Sequence, residues 1–195
     1  FAAPAQAIIV YDPTNHVQNV LQAARELQQI NNQITSLQNE AQGLINQARA
    51  DYNQIIPLTD RTDYLSPMAN NVGLALAVEK LMGLDITERC TVLRVIAGEM
   101  SRIISHLVWM GTTAIDIGAF TPFLWTFYER ERIYNLQEAW TGARLTTSLT
   151  RVGGMMADIP DGFVEGLREF CRSFPKTLDE VDRVLTRNGI WVGRT

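Results

Sequence analysis

The sequence predicts a mainly α-helical protein built from two unlike parts, and three observations lead to this prediction. Apolar residues recur at helical spacing over most of the 195 residues. Helix start and stop signals punctuate that spacing, with serine–proline or threonine–proline pairs before apolar runs and glycines after them. Composition also changes sharply near residue 50, because residues 15–47 hold 14 Asn and Gln and residues 52–195 hold seven. We therefore expect one domain over residues 1–50 and another over residues 51–195.

The composition is that of an ordinary globular protein, with 46% hydrophobic and 19% charged residues. Seventeen basic against 21 acidic residues give a net charge of -4, which disfavours binding to nucleic acid. The two cysteines, Cys90 and Cys171, lie far apart and outside any C-x-x-C motif. We expect no disulfide framework and no metal or iron–sulfur site from this chain alone.

The most apolar stretch, residues 103–127, is long enough for a membrane span, but its composition does not suit one. His106 and Asp116 interrupt it, and a carboxylate at mid-depth is costly in lipid. We interpret the stretch as buried protein core, and His106 as a core histidine rather than a ligand.

The first part predicts one long helix with a narrow apolar seam. Its start is expected at residues 12–15, Asp-Pro-Thr-Asn. Residues spaced by three or four form the seam: Val17, Val20, Ala24 and Leu27, then Ile30, Ile34, Leu37, Ala41, Leu44 and Ala48. Because one helix cannot bury such a stripe by itself, residues 15–48 are expected to have a coiled-coil partner helix.

The string AQAIIVYDPTNHVQNVLQAARELQQINNQITSLQNEAQGLINQA resembles the amino-terminal region of the TrbJ family of conjugative transfer systems. The small-residue opening FAAPAQA has the texture found near a secretory cleavage site, and the first residue, Phe1, favours a processed chain or a fragment. The resemblance implies a helical assembly protein, exported to the periplasm and without an enzymatic site.

The second part predicts a series of buried helices. Their expected limits are Ser66–Pro67 to Gly83, Thr87 to Gly111, Thr121–Pro122 to Gly142, Phe163 to a point before Pro175, and a last helix opened by the Thr177–Glu180 capping box. A glycine-rich connection at residues 151–154 separates the third helix from the fourth.

Asp116 is the most informative ionisable residue, because it stands among apolar residues between a helix stop and a helix start. Either it accepts backbone hydrogen bonds in a tight connection, or it is a perturbed carboxylate that orients a histidine or passes on a proton. Tyr64, just before a helix start, either packs or offers its hydroxyl to a carbonyl-type ligand. Arg144 and Arg151 either form salt bridges or stabilise an electron-rich centre. Glu99 and Arg102 are expected to pair along one helix.

Residues 52–195 as a whole resemble the D subunit of NADH-quinone oxidoreductase, respiratory complex I. The resemblance is carried by ordered strings: IIPLTDRTDYLSPM, LALAVEKLMGL, RVIAGEMSRIISHLVW, AIDIGAFTPFLWTFYERE, GARLTT, RVGG, DIPDGF and IWVGRT. It implies a helical core related to the large subunit of nickel–iron hydrogenases, without the nickel-binding cysteines.

The resemblance further implies a role in electron transfer from NADH to quinone, coupled to proton translocation. Tyr64 falls on the tyrosine that hydrogen-bonds a quinone carbonyl, and Asp116 on the aspartate that pairs with a histidine on the proton route. Arg144 and Arg151 would lie near the iron–sulfur cluster of a partner. NAD, flavin and iron–sulfur clusters would all be held by partners, chiefly the B and C subunits, at the cytoplasmic face of the membrane and next to the membrane arm.

The family's histidine lies in an upstream region that this sequence lacks, and a carboxy-terminal part is also missing. We therefore interpret the chain as a chimera joined near residues 50–52, and expect it to be inactive in isolation. The alternative function is that of an exported assembly protein of a conjugative transfer system.

Overall fold

The computed structural model describes residues 13–194, and it confirms a mainly α-helical protein. The chain divides into two compact units, Phe1–Gln47 and Ala48–Thr195. Within the described residues the elements are α1 (Pro13–Thr59), α2 (Pro67–Met82), α3 (Glu88–Asp116), α4 (Phe120–Thr141), β1 (Thr150–Arg151), β2 (Gly154–Met155), α5 (Phe163–Leu185) and α6 (Gly189–Val192).

Helix α1 begins at Pro13, inside the predicted start signal, while Asp12 lies outside the described residues. The large apolar side chains between Leu21 and Leu44 are exposed, as expected of a stripe that its own helix cannot bury. The coiled-coil interpretation of this helix stays a prediction.

The core of the second unit lies between α3, α4 and α5. Helix α3 contributes one side chain per turn to this core, and the aromatic residues of α4 and α5 fill the space opposite. The central buried residues are Leu93, Ala97, Met100, Ile104, Leu107, Ile133, Trp140, Phe163 and Phe170. The relation to the nickel–iron hydrogenase fold stays a prediction.

Three predicted helix limits are confirmed, and the structure shows the capping interaction or conformation at each of them. Thr87 caps α3, where its hydroxyl oxygen accepts a hydrogen bond from the Cys90 N–H at 3.3 Å. Helices α2 and α4 end at Gly83 and Gly142, and both glycines adopt the left-handed conformation that satisfies the last carbonyl groups. Helix α4 starts at Phe120, one residue before the predicted threonine.

The predicted end of the second helix at Gly111 is wrong, because α3 continues to Asp116. Gly111 is buried at the crossing with α4, where a Cβ atom would lie 2.5 Å from the Thr126 hydroxyl oxygen. The glycine therefore allows close approach of two helices rather than ending one of them.

The predicted break at Pro175 is also wrong, because α5 runs without interruption from Phe163 to Leu185. Side chains on both sides of the proline hold this helix to α4. Ser173 accepts a hydrogen bond from Arg132 at 2.8 Å, and the Thr177 hydroxyl donates to Glu129 at 2.8 Å instead of capping a new helix. Packing against α4 thus overrides the local tendency of proline to end a helix.

The stretch at residues 103–127 forms the end of α3 and the start of α4. Its inward face is buried, but His106 is exposed, so the prediction of a core histidine is wrong. The neighbouring residues Ile104 and Leu107 occupy the buried face instead. None of the helices between residues 13 and 194 has the length and hydropathy that a membrane crossing requires.

Replacing Gly111 by alanine is expected to lower the free energy of unfolding by about 1–3 kcal/mol, because the new methyl group would force α3 and α4 apart. Gly98 is the matched control, since it lies in the same helix and a Cβ atom there would meet nothing within 4 Å. Gly98→Ala should be neutral or stabilising by up to about 1 kcal/mol. Urea unfolding followed by circular dichroism measures both, and equal effects of the two substitutions would contradict the close-approach role of Gly111.

Candidate functional site

Tyr64 lies in the turn between α1 and α2, and its side chain is 66% exposed. Local hydrogen bonds hold the turn. The Asp63 carboxylate accepts from the Leu65 N–H at 3.1 Å, and the Asp63 carbonyl accepts from the Ser66 N–H at 3.1 Å. The turn therefore presents the phenol outward on a fixed backbone.

A buried carboxylate anchors this turn to the rest of the second unit. Asp60 is fully buried and accepts hydrogen bonds from the Asn71 side-chain amide at 2.7 Å and from the Ser148 hydroxyl at 2.6 Å. The Ser148 N–H also donates to Asp60 at 3.1 Å. Ser148 has a φ of 44°, which is costly for a residue other than glycine, and both of its bonds to Asp60 offset that cost.

Asp116 is the last residue of α3 and its side chain is exposed, so the expectation of apolar surroundings is wrong. The continuation of α3 through Gly111 explains this, because Asp116 stands two residues after buried Ala114 and so about 200° around the helix. Gly118, with a φ of 98°, then turns the chain into α4, and the Arg194 guanidinium donates to the Ile117 carbonyl beside it.

Tyr64 and Asp116 belong to different elements, the turn before α2 and the last turn of α3. Ala69 of α2 and Glu99 of α3 line one cavity, and Asp116 lies 17 residues beyond Glu99, about 25 Å along the axis. Tyr64 precedes Ala69 by five residues, which span at most about 17 Å. No hydrogen bond joins the two side chains in the described part of the chain, and both are open to solvent.

Arg144 is held by the carboxylates of α4. Its guanidinium donates to Glu138 at 2.7 Å, to Asn135 at 3.1 Å and to Glu131. The hydrogen bond to Glu138 and the negative charges of both glutamates raise the pKa of Arg144 above its ordinary value. Of the two predicted roles, the salt-bridged one is observed.

Arg151 is half-buried at the end of β1. Its guanidinium donates to the Ser148 carbonyl and, at 3.4 Å, to the Thr150 carbonyl. Arg151 therefore closes the loop whose Ser148 binds Asp60, and it is linked through that serine to the turn that carries Tyr64. The predicted pair of Glu99 and Arg102 is confirmed as an exposed ion pair.

A buried ion pair that the sequence analysis missed joins α2, α3 and the β-hairpin. Nη1 of Arg94 donates to Oε2 of Glu79 and Nη2 donates to Oε1, both at 2.6 Å. The two side chains are only 3% and 5% exposed. Arg94 also donates to the carbonyl groups of Arg151 at 3.0 Å and Gly154 at 3.1 Å. The Gly153 N–H donates to Glu79 at 2.6 Å.

These contacts decide the charge state of the pair. Burial by itself raises the pKa of Glu79, but the hydrogen bonds from Arg94 and Gly153 and the positive charge of Arg94 outweigh it, so the pKa of Glu79 is lowered. Burial by itself lowers the pKa of Arg94, and the hydrogen bond and charge of Glu79 reverse that, so the pKa of Arg94 is raised. Both groups are therefore charged in the folded protein.

A sequence signal for this pair existed. Glu79 follows Ala75 by four residues in LALAVEKLMGL, and Arg94 stands directly after Leu93, so helical spacing places both charges beside core positions. Two opposite charges next to core positions on consecutive helices indicate a buried pair.

The described residues do not fit the binding of an iron–sulfur cluster or another metal. Within residues 13–194 no group of three or more His, Cys, Asp or Glu side chains is placed to hold a metal ion. Cys90 is buried and Cys171 is exposed, and they are not bonded to each other.

Comparison with known families finds a match for the carboxy-terminal segment. Residues 116–195 match the family model of the respiratory-chain NADH dehydrogenase 49-kDa subunit. The match begins at Asp116 and extends to the end of the sequence.

Individual relatives extend the similarity to 144 residues, 74% of this chain, and each is named as the D subunit of NADH-quinone oxidoreductase. The protein of Geotalea uraniireducens is 53% identical and covered over 37% of its length. That of Methylacidiphilum infernorum is 54% identical and covered over 34%, and that of Geobacter sulfurreducens is 52% identical and covered over 37%. The chain thus spans about a third of the length of these relatives.

These matches confirm, for the carboxy-terminal segment, the resemblance to the D subunit of complex I. The TrbJ resemblance of residues 1–50 and the interpretation of the chain as a chimera stay predictions.

Replacing Glu79 by glutamine is expected to lower the free energy of unfolding by about 3 kcal/mol, because it leaves the Arg94 charge buried without a counter-charge. Glu99→Gln is the matched control, since that glutamate pairs with Arg102 at the exposed surface of α3. Its effect should stay within about 1 kcal/mol. Chemical denaturation measures both substitutions.

The pH dependence of the unfolding free energy distinguishes the loss of the Glu79–Arg94 charge pair from the loss of side-chain packing. Because the pKa of Glu79 is lowered on folding, its stabilisation is complete above the ordinary value of 4.5 and is lost as pH falls below it. The difference in unfolding free energy between the wild type and Glu79→Gln should therefore shrink as pH falls below 4.5. A difference that stays constant with pH would contradict the ion-pair explanation.

Proposed function

We propose that residues 52–195 belong to a quinone-site subunit of an NADH-quinone oxidoreductase, where they help to pass electrons that originate from NADH to quinone. The observation that carries the proposal is identity of about one half over 144 residues to proteins named as the D subunit of that enzyme. An exposed phenol and an exposed carboxylate, each on a firmly held turn, supply the chemistry.

Tyr64 acts as the hydrogen-bond donor to a quinone carbonyl oxygen. Its hydroxyl group has no hydrogen-bond partner among the described residues, and the anchored turn keeps it in one place. A neutral hydroxyl suits this role because it can donate to the oxidised carbonyl and still accept from the reduced hydroxyl.

Asp116 acts on the proton side of the reaction. Reduction of a quinone to a quinol takes two electrons and two protons, and the protons end on the former carbonyl oxygens. In the proposal the Asp116 carboxylate orients the family's histidine and stabilises its protonated form; the histidine gives one proton to one former carbonyl oxygen, and water supplies the second proton to the other oxygen. Gly118 and Arg194, which fix the turn after Asp116, serve as positioning residues.

Partner subunits complete the site. Helices α3 and α4, which are joined by the connection after Asp116, carry exposed large apolar side chains, with Trp109 65%, Phe120 61% and Leu124 50% exposed. Such a surface favours a protein neighbour that excludes water, and we assign this role chiefly to the B and C subunits. The iron–sulfur clusters, flavin and NAD belong to partners in this proposal, with Arg144 and Arg151 facing the nearest cluster.

The assembled enzyme in this proposal lies peripherally at the cytoplasmic face of the membrane, next to the membrane arm. The isolated chain is expected to be inactive, since partner subunits hold the electron donor in this proposal. A second candidate, an exported assembly protein of a conjugative transfer system, is favoured by the exposed apolar stripe of α1. Recovery of the chain in the periplasm without complex I subunits would support it over the first.

In a complete complex that contains this segment, Asp116→Asn should lower the turnover of quinone reduction by roughly 100-fold, the lower range for loss of acid–base catalysis. Tyr64→Phe should raise the quinone KM by about 3- to 10-fold, the equivalent of one hydrogen bond. NADH oxidation with quinone as acceptor measures both.

Asp161→Asn and Tyr128→Phe are matched controls, because both residues are exposed on other parts of the second unit. They should leave quinone kinetics unchanged. Reduction of a water-soluble artificial acceptor should continue in all four variants, which shows that the complex is assembled. Normal quinone kinetics in both Asp116→Asn and Tyr64→Phe would disprove the assigned roles.

A further inference from the structure

Between Ala23 and Leu44 the apolar stripe of α1 follows a heptad repeat, in which Ala23 rather than the predicted Ala24 continues the seam. Successive stripe residues are separated by four and three positions in alternation: Ala23, Leu27, Ile30, Ile34, Leu37, Ala41 and Leu44. In heptad notation Leu27, Ile34 and Ala41 are a positions, and the other four are d positions. An average spacing of 3.5 residues is the signature of a left-handed coiled coil.

The large side chains of this stripe are exposed, with exposed fractions of 67% for Leu27, 51% for Ile30, 47% for Ile34, 64% for Leu37 and 68% for Leu44. Polar residues elsewhere on the helix bind within the helix itself. Gln22 donates to Glu26 at 3.1 Å, and Gln42 donates to Asn46 at 3.1 Å. The stripe is therefore the part of this unit that gains from a partner helix.

We propose that this stripe pairs with the same stripe of a second copy of the chain, forming a parallel two-stranded coiled coil. The flanking e and g positions, which normally select a coiled-coil partner by opposite charge, carry only two charges. These flanking residues are Ala24, Asn31, Gln38 and Ile45 at e, and Glu26, Gln33, Glu40 and Gln47 at g. They hold no charge pattern that would require a different chain as partner, and nothing that repels an identical one in parallel.

The two glutamates decide the orientation. In a parallel pair each g residue faces the e residue five positions later in the other copy, so Glu26 meets Asn31 and Glu40 meets Ile45. In an antiparallel pair centred on the stripe, g residues face g residues, and Glu26 of each copy meets Glu40 of the other. Two like-charge contacts thus oppose the antiparallel arrangement and none opposes the parallel one.

The strand number follows from the middle of the stripe. Ile34 at a with Leu37 at d is the combination that favours two strands. The preceding pair has Leu27 at position a and Ile30 at position d, a combination that favours larger assemblies. The next two a positions hold Ile34, which favours two strands, and the small residue Ala41. We assign two strands because residues 34–44 make up a longer part of the repeat than residues 27–30.

Sedimentation equilibrium of the full 195-residue chain tests the proposal. The expected result is a reversible dimer of twice the 21.9 kDa chain mass. Ile34→Asp places a charge in the seam and should weaken dimerisation by about 10-fold or more. Asn39→Asp adds the same charge on the outer face and should change it by less than about 2-fold. A monomer, or a trimer or tetramer, for the unmodified chain would overturn the proposal.

Disulfide trapping tests the orientation without weakening the helix. In a Cys171→Ser background, Leu37→Cys should cross-link to itself on mild oxidation, because d positions meet their counterparts in a parallel pair. A mixture of Leu27→Cys and Leu37→Cys chains should give mainly the two like-with-like products. Preferential formation of the mixed product would establish the antiparallel arrangement and overturn the parallel one.

Discussion

The pairing of Glu79 with Arg94 is the interaction on which the second unit depends. Removing two charges from water costs several kcal/mol per ion, and only close geometry with further hydrogen bonds offsets that cost. Here each carboxylate oxygen binds a guanidinium nitrogen at 2.6 Å, and backbone groups from Arg151, Gly153 and Gly154 add three further hydrogen bonds. The pair therefore does more than link α2 to α3, because its leftover hydrogen bonds can be satisfied only when the β-hairpin is in place.

The hairpin in turn sets the geometry of the turn that carries Tyr64. Ser148, just before the hairpin, binds buried Asp60, and the Val152 N–H donates to Asn53 in α1 at 2.9 Å. The position of an exposed phenol is thus fixed by buried polar contacts on the opposite side of its turn. This arrangement, a buried polar network beneath an exposed phenol, supports the proposed role of Tyr64.

The sequence predicted the helical class, the caps and the stops where local chemistry decides them, as at Thr87, Gly83 and Gly142. It failed where tertiary packing overrides local preference. Gly111 looked like a stop but is a contact point between helices, and Pro175 looked like a break but lies within a helix held on both sides. Extending α3 past Gly111 also moved Asp116 from the expected interior to the surface. The residues of the candidate site were singled out by their sequence neighbours and given roles by family resemblance, whereas the exposure of Asp116 depends on the phase of α3, which the misplaced stop concealed.

The contacts that fix the Tyr64 turn have a consequence for synthesis on the ribosome. Asp60 and Ser148 are separated by 88 residues, and Asn53 and Val152 by 99. A nascent chain can form α1, α2 and the Asn71 bond to Asp60 from local contacts, but the two Ser148 bonds to Asp60 cannot form until residue 148 has left the exit tunnel. The turn therefore acquires its final shape only after the hairpin has been made.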